Sequence, residues 1–307
     1  MVNLLSKPMS RRSAMGTVIA FGAALAGCET PSKAASGPSR EKHFDSGGIR
    51  IRYLEAGAGE PVILVHGFSS DAERQWVNTG VLSRLSAHFT VYAIDGRGHG
   101  LSDKPHDPSQ YGPEAARDVT RMLDHLNLSQ AHIVGYSLGA ILMGYQVTQT
   151  PDRFKTCVLA GATPRFRWTA DDQKKLEQEA TEMDQGSKRS QILRLWPKDK
   201  PLPTDEEIRK ISERDLAGQD YHALAASRRG GANALVTADQ IAAIQVPTLG
   251  IVGTADPYLA EFQAMKLINP RIDLATIEGA SHSTAPGRPE FASDILSFLM
   301  RHASAAA

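Results

Sequence analysis

Residues 134–140, Val134-Gly135-Tyr136-Ser137-Leu138-Gly139-Ala140, constrain this chain more tightly than any other stretch. They follow the apolar run Ala131-His132-Ile133-Val134 and precede Ile141-Leu142-Met143-Gly144-Tyr145, a pattern that reads as strand, sharp turn, helix. Where a strand passes into a helix within one residue, Cβ atoms on either side of the turn would clash. The G-x-S-x-G spacing removes them at Gly135 and Gly139. Ser137 is left in strained backbone geometry with its hydroxyl held outward. It also stands at a helix N-terminus, where unpaired N–H groups and the dipole favour developing negative charge. Ordinary glycine-rich turns share the pentapeptide; the strand before it and the helix after it point to a reactive serine.

The rest of the chain fits around that unit. Ile49-Arg50-Ile51-Arg52-Tyr53 alternates apolar and polar residues, as a half-buried antiparallel strand does. Continuous apolar runs at 61–65, 89–94, 131–134, 156–160, 248–252 and 274–277 suit strands covered on both faces. Helical stretches at 81–88, 113–126 and 141–150 lie between them. This alternation predicts an α/β fold with a mostly parallel, doubly wound sheet, right-handed crossovers and helices on both faces. Residues 164–245 break the pattern: they are charged, helix-prone and without a convincing central strand. They read as a helical cap inserted over the carboxyl edge of the sheet, where ligands bind in open α/β folds. Its charge runs read as solvated helix faces, and Trp168, Trp196 and Met183 are candidates for an apolar pocket wall or for packing of the cap on the core.

A serine hydroxyl is a poor nucleophile at neutral pH; it needs a general base, an acid to orient that base, and donors for an oxyanion. Asp256 falls just past the buried run that ends at Val252, and His282 falls 26 residues later, just past the run ending at Ile277. Of the ten histidines, His282 is the best placed to reach Ser137. Leu138, directly after the serine, supplies one oxyanion N–H, and Phe68 in the loop Val65-His66-Gly67-Phe68 supplies the other, with Gly67 allowing the turn and His66 holding the loop. In Asp95-Gly96-Arg97-Gly98-His99-Gly100-Leu101-Ser102, Arg97 and His99 read as fixing a turn near the site.

Over about residues 44–303 the chain resembles the α/β-hydrolase superfamily, particularly its esterase, lipase and haloperoxidase-like branch. The order Ser137, Asp256, His282 matches that family's nucleophile, acid and base, and His66-Gly67-Phe68 and the Asp95–Ser102 stretch match its oxyanion and turn motifs. The resemblance implies an eight-stranded type of sheet, with residues 43–163 and 246–303 as core and 164–245 as the variable cap. It implies a serine hydrolase acting on a carboxylic ester of a small or medium-sized substrate, without cofactor or metal. Thioester, lactone, amide or carbon–carbon bond hydrolysis and perhydrolysis stay open, as does a binding module without turnover. A serine at position 137 argues against the related epoxide hydrolases and haloalkane dehalogenases, which carry aspartate there.

Charge narrows the partners. Thirty-four basic residues balance 34 acidic ones with no dense basic run, so nothing points to nucleic acid or anionic lipid as the natural ligand, and a small neutral or weakly charged substrate is easier to accommodate. At the N-terminus, Lys7, Arg11 and Arg12 precede the uncharged run 13–27 and Cys28. That run is too short and glycine-rich to span a bilayer, so residues 1–27 read as a secretory signal. Leu25-Ala26-Gly27-Cys28 resembles the bacterial lipoprotein lipobox and Ser10-Arg11-Arg12-Ser13 a twin-arginine export motif. The resemblance implies lipidation of Cys28 and a membrane anchor on the periplasmic side of a bacterial cell envelope. Residues 28–42, rich in Ser, Ala, Gly and Pro, read as a flexible tether. Cys157 is then the one remaining thiol, a buried strand residue without chemistry.

Overall fold

The computed structural model describes residues 39–198 and 200–304, so the expected secretory signal and the expected lipidation site at Cys28 lie outside the described residues. Eight strands form one sheet: β1 (Arg40–Asp45), β2 (Arg50–Ala56), β3 (Pro61–Val65), β4 (Thr90–Ile94), β5 (Ala131–Tyr136), β6 (Phe154–Ala160), β7 (Thr248–Gly253) and β8 (Asp273–Ile277). Their order across the sheet is β1-β2-β4-β3-β5-β6-β7-β8. The pairs β1–β2 and β2–β4 are antiparallel and every later pair is parallel.

The continuous apolar runs of β3 to β7 are explained by burial on both faces; the run at 274–277 is not covered in this way, because β8 is an edge strand of which only Ile277 is buried. Ile63, Val65, Ile133, Cys157 and Leu159 point into one core layer, while their neighbours Val62, Leu64, Val134, Val158 and Ala160 point into the other. The first layer is covered by α2 (Pro113–His125), α3 (Leu138–Gln149) and α9 (Leu259–Ile268); the second by α1 (Val81–Ser86) and α10 (Pro289–His302). Cys157 is fully buried and unpaired among the described residues, and burial pushes its thiol up, out of the reactive range.

Between β6 and β7 the chain forms α4 (Ala170–Asp184), α5 (Arg189–Leu195), α6 (Asp205–Leu216), α7 (Tyr221–Gly231) and α8 (Ala238–Ala242). Among the described residues the only strand-like pairing in that stretch is the bridge Arg165–Leu235. Thr169, Thr204 and Thr237 each open a helix with a reciprocal capping box, so the three helix starts are set by local hydrogen bonds. No helix among the described residues is long and apolar enough to cross a membrane.

One expectation is corrected here. The tether does not run to residue 42, because β1 begins at Arg40. Arg40 and Lys42 both reach Glu55 on β2, at 2.5 and 2.6 Å, and this cross-strand pairing orders a charged edge strand that has little apolar content of its own.

A buried ion pair fixes the sheet's antiparallel end to its helices. Asp118 of α2 accepts from Arg97 Nε at 2.8 Å and Nη2 at 2.5 Å, and from the Ser46 hydroxyl in the β1–β2 turn at 2.5 Å. Replacing Asp118 with Ala leaves the Arg97 guanidinium unpaired in the interior. It is expected to cost about 3–5 kcal/mol in urea unfolding, whereas Asp124→Ala, which breaks the solvent-exposed pair with Arg153, is expected to cost less than about 1 kcal/mol.

Candidate active site

The loops that follow β3, β4, β5, β7 and β8 meet at the carboxyl edge of the parallel strands, and the site is made there. Ser137 sits between β5 and α3 with φ 51° and ψ −109°, in the left-handed region that non-glycine residues seldom occupy. The two flanking glycines explain how it is held. A Cβ on Gly135 would lie 2.4 Å from the Gly139 carbonyl oxygen, and one on Gly139 would lie 2.1 Å from the Val65 carbonyl oxygen. The turn, the helix start and β3 therefore touch backbone to backbone. Ser137 N–H donates to the Ala160 carbonyl at 2.7 Å, which ties the turn to β6 as well.

His282 Nε2 stands 3.0 Å from Ser137 Oγ, and His282 Nδ1 stands 2.9 Å from Asp256 Oδ2. The other carboxylate oxygen of Asp256 accepts the Tyr258 N–H at 3.0 Å, so both oxygens are oriented. His282 and Asp256 are both buried. The imidazole lies between two aromatic rings, Tyr136 at 5.5 Å and Tyr258 at 5.6 Å, and the Tyr136 hydroxyl donates to the His282 carbonyl. Burial, reinforced by Asp256, holds the Tyr136 phenol well above its ordinary range, so it remains a donor. This line of hydroxyl, imidazole and carboxylate is the arrangement that draws a proton off a serine.

Phe68 and Leu138 flank Ser137 in a cavity of about 350 Å³. Neither of their backbone N–H groups has an acceptor among the described residues. Gly67 closes the loop, with a Cβ at that position falling 3.4 Å from Ser137 Cβ. His66 joins two loops: Nδ1 donates to the Gly67 carbonyl at 2.7 Å, and Nε2 accepts the Gly96 N–H at 2.9 Å. The Asp95–Ser102 stretch is held from within. Asp95 accepts from Ala72 N–H at 2.8 Å and Leu101 N–H at 2.9 Å, and Arg97 is turned away from the cavity onto Asp118. Among the described residues no group of three or more His, Cys, Asp and Glu side chains is placed to hold a metal ion.

The cap side of the cavity departs from expectation. Its wall is not wholly apolar: Trp168 lines it as expected, with Phe166, Leu176 and Leu195, but so do Arg165, Glu179, Arg194 and Arg228. Trp196 does not line it, its indole N–H donating to the Pro201 carbonyl at 2.8 Å, and Met183, on the buried face of α4, packs into the core, the other alternative for these residues. Nor are all the cap's charges solvated. Glu179, Arg228 and Lys188 are buried, the last paired with Asp215 at 2.9 Å. The sequence held one signal for this. Arg228 lies in Ala223-Leu224-Ala225-Ala226-Ser227-Arg228-Arg229-Gly230-Gly231, a helix of small residues that approaches its neighbours closely enough to cover an arginine. Tyr258, which helps position both Asp256 and His282, carried no signal.

Comparison with known proteins gives the same architecture. A family model described as the α/β hydrolase fold matches residues 60–186. The 2-(acetamidomethylene)succinate hydrolase of Mesorhizobium japonicum is 33% identical over 131 residues, which are 43% of this chain and 46% of that protein. The 2-hydroxy-6-oxo-2,4-heptadienoate hydrolase of Pseudomonas putida is 37% identical over 119 residues, 38% of this chain and 42% of that one. The chain thus spans less than half the length of the curated relatives it matches. Among solved structures, a thermophilic esterase from Thermogutta terrifontis superposes with a TM-score of 0.71 at 23% identity, covering 87% of this chain and 100% of that one.

The electrostatics of the site yield a pH prediction. His99, packed edge-on against His66 at 5.1 Å and Phe68 at 5.7 Å, is pushed down to about 3 by burial and then by His66. Between that value and the ordinary imidazole value of 6.5, the unfolded chain binds a proton here that the folded chain does not. Stability therefore falls as pH falls through this window, by up to about 1.4 kcal/mol per pH unit. Buried His132, whose imidazole is also lowered, adds to the same slope. His99→Gln is expected to flatten the dependence of the urea midpoint on pH between 6.5 and 4; an unchanged slope contradicts a neutral His99. The chain has the α/β-hydrolase fold, and Ser137, one of three non-glycine residues with positive φ among the described residues, heads the Ser137–His282–Asp256 line.

Proposed function

We propose that the protein is a serine hydrolase that cleaves a carboxylic ester of a small or medium-sized substrate through an acyl-enzyme intermediate. The observation that carries this reading is the unbroken line from Ser137 Oγ to His282 Nε2 and from His282 Nδ1 to Asp256, with two unengaged backbone N–H groups beside the hydroxyl. His282 Nε2 takes the hydroxyl proton as Ser137 Oγ bonds to the ester carbonyl carbon. The carbonyl oxygen, now an oxyanion, accepts from the Phe68 and Leu138 N–H groups, and Asp256 stabilises the imidazolium. Collapse of the tetrahedral adduct breaks the bond to the alkoxide, which leaves as the alcohol with the imidazolium proton. Water then repeats the sequence: His282 takes its proton, its oxygen attacks the acyl carbon, and Ser137 departs as the hydroxyl while the acid is released.

The relatives' names support hydrolysis in general; the choice of an ester rests on the chemistry of the Ser137–His282–Asp256 line. We further propose that the protein is exported and lipid-anchored at Cys28; the support for this is the sequence of residues 1–28.

The test is hydrolysis of p-nitrophenyl esters from acetate to palmitate by the full chain and by Ser137→Ala. The variant is expected to lose at least about 10⁴-fold in kcat while keeping its fold, with the wild type labelled by a fluorophosphonate and the variant not. A folded protein that neither turns over any ester nor takes the label contradicts the reading and leaves a binding module, whose ligand affinity Ser137→Ala would not change.

A further inference from the structure

The pocket wall facing Ser137 carries charge for which the ester chemistry has no use. Four guanidinium groups, Arg165, Arg167, Arg194 and Arg228, line the cavity on the cap side. Glu179 is the acid set among them. It accepts from Arg194 Nε at 2.6 Å and Nη2 at 3.2 Å and is also in ion-pair contact with Arg228 Nη2. One carboxylate is therefore shared by two arginines. Arg165 donates to the Gly231 carbonyl, and neither it nor Arg167 has a carboxylate partner among the described residues. Lys175 offsets Asp172 at the rim, and burial pushes the Glu261 carboxyl up, toward its uncharged form. The wall is left with excess positive charge.

Arg228 is the least satisfied of these groups. Its side chain is only 8% exposed, its Nη2 is in ion-pair contact with Glu179, and its Nε has no acceptor among the described residues. A buried guanidinium with idle donors is costly unless something else pairs with it. Its guanidinium carbon also lies over the Phe68 ring, 4.5 Å from the ring centre, which brings the charge beside the loop that carries Phe68. Arg165 likewise lies over Trp168, at 4.9 Å. Planar, immobilised guanidiniums with free edges match a carboxylate better than a neutral group or a point charge.

We propose that the pocket takes a substrate bearing a carboxylate, which Arg228 and Arg165 hold while Ser137 meets the scissile carbonyl. The proposal rests on the serine-hydrolase reading and refines its substrate class from neutral or weakly charged to anionic.

The test uses the full chain with two matched pairs of esters. Monoethyl succinate, with its carboxylate on the acyl side, is compared with diethyl succinate; O-acetylglycolate, with its carboxylate on the alcohol side, is compared with its ethyl ester. The wild type is expected to favour the anionic member of one pair by about tenfold or more in kcat/KM. Arg228→Gln is expected to cut that anionic-to-neutral ratio by about tenfold, Arg228→Lys to restore part of it, and Arg165→Gln to lower it as well should Arg228→Gln not fold. Preference for the neutral member in both pairs, with a ratio that these variants do not move, overturns the proposal and leaves the serine-hydrolase reading intact. A second arm needs no turnover. Calorimetric binding of succinate to Ser137→Ala is expected, and is expected to weaken about tenfold when Arg228→Gln is added. If no ester is hydrolysed but this binding is seen, the carboxylate site stands and the serine-hydrolase reading fails; no succinate binding, with no anionic preference, overturns the site.

Discussion

The close approach of β3, β5 and α3 at Ser137 is the contact on which the rest of the site depends. With carbonyl oxygens within 2.1–2.4 Å of where Cβ atoms would stand on Gly139 and Gly135, any side chain at either position would force the turn apart. The approach also imposes the left-handed backbone at Ser137, a conformation that costs on the order of 1–2 kcal/mol for a residue with a side chain. That cost is offset by the flanking strands, fully buried and bonded on both sides. Strain of this kind persists where surrounding structure overdetermines it, and the hydroxyl direction is therefore a property of the whole sheet.

The remaining groups reach Ser137 because parallel strands end together. β3, β7 and β8 deliver Phe68, Asp256 and His282 from loops only a few residues long, so each side chain inherits the position of its strand. Aromatic packing then restricts His282, with Tyr136 and Tyr258 on either side and the Tyr136 hydroxyl holding its backbone. The cap helices close the cavity from above with Arg228 over the Phe68 ring, so cap and oxyanion loop share a contact. A change in the cap at that point is thereby transmitted to the loop beside the serine.

Much of this was legible in the sequence, for a physical reason. A strand buried on both faces must be continuously apolar, and a turn with no room for Cβ must be glycine. The strands from β3 to β7 and the Ser137 turn therefore carry signatures that depend on few neighbours, whereas β8 is an edge strand of which only Ile277 is buried. Asp256 and His282 were legible because they follow apolar runs directly. The edge strand β1 was not, since its order comes from Arg40 and Lys42 pairing with Glu55 across the sheet. Nor was the cap wall. Whether a charged helical residue faces water or a cavity depends on which helix packs beside it, and Glu179 and Lys174 look alike in a charged helix although the first is buried and the second exposed. Tyr258 acts through its backbone N–H and its ring face, features that any aromatic residue in a loop would present.

The central claim is that Ser137 becomes covalently acylated during turnover. Rapid acid quench of the full chain mixed with p-nitrophenyl acetate, followed by intact-mass measurement and peptide mapping, reads this directly. The account predicts a protein heavier by one acetyl group, with the modification on Ser137 and absent from Ser137→Ala. Steady turnover with no adduct at any quench time, or an adduct on a different residue, would contradict it.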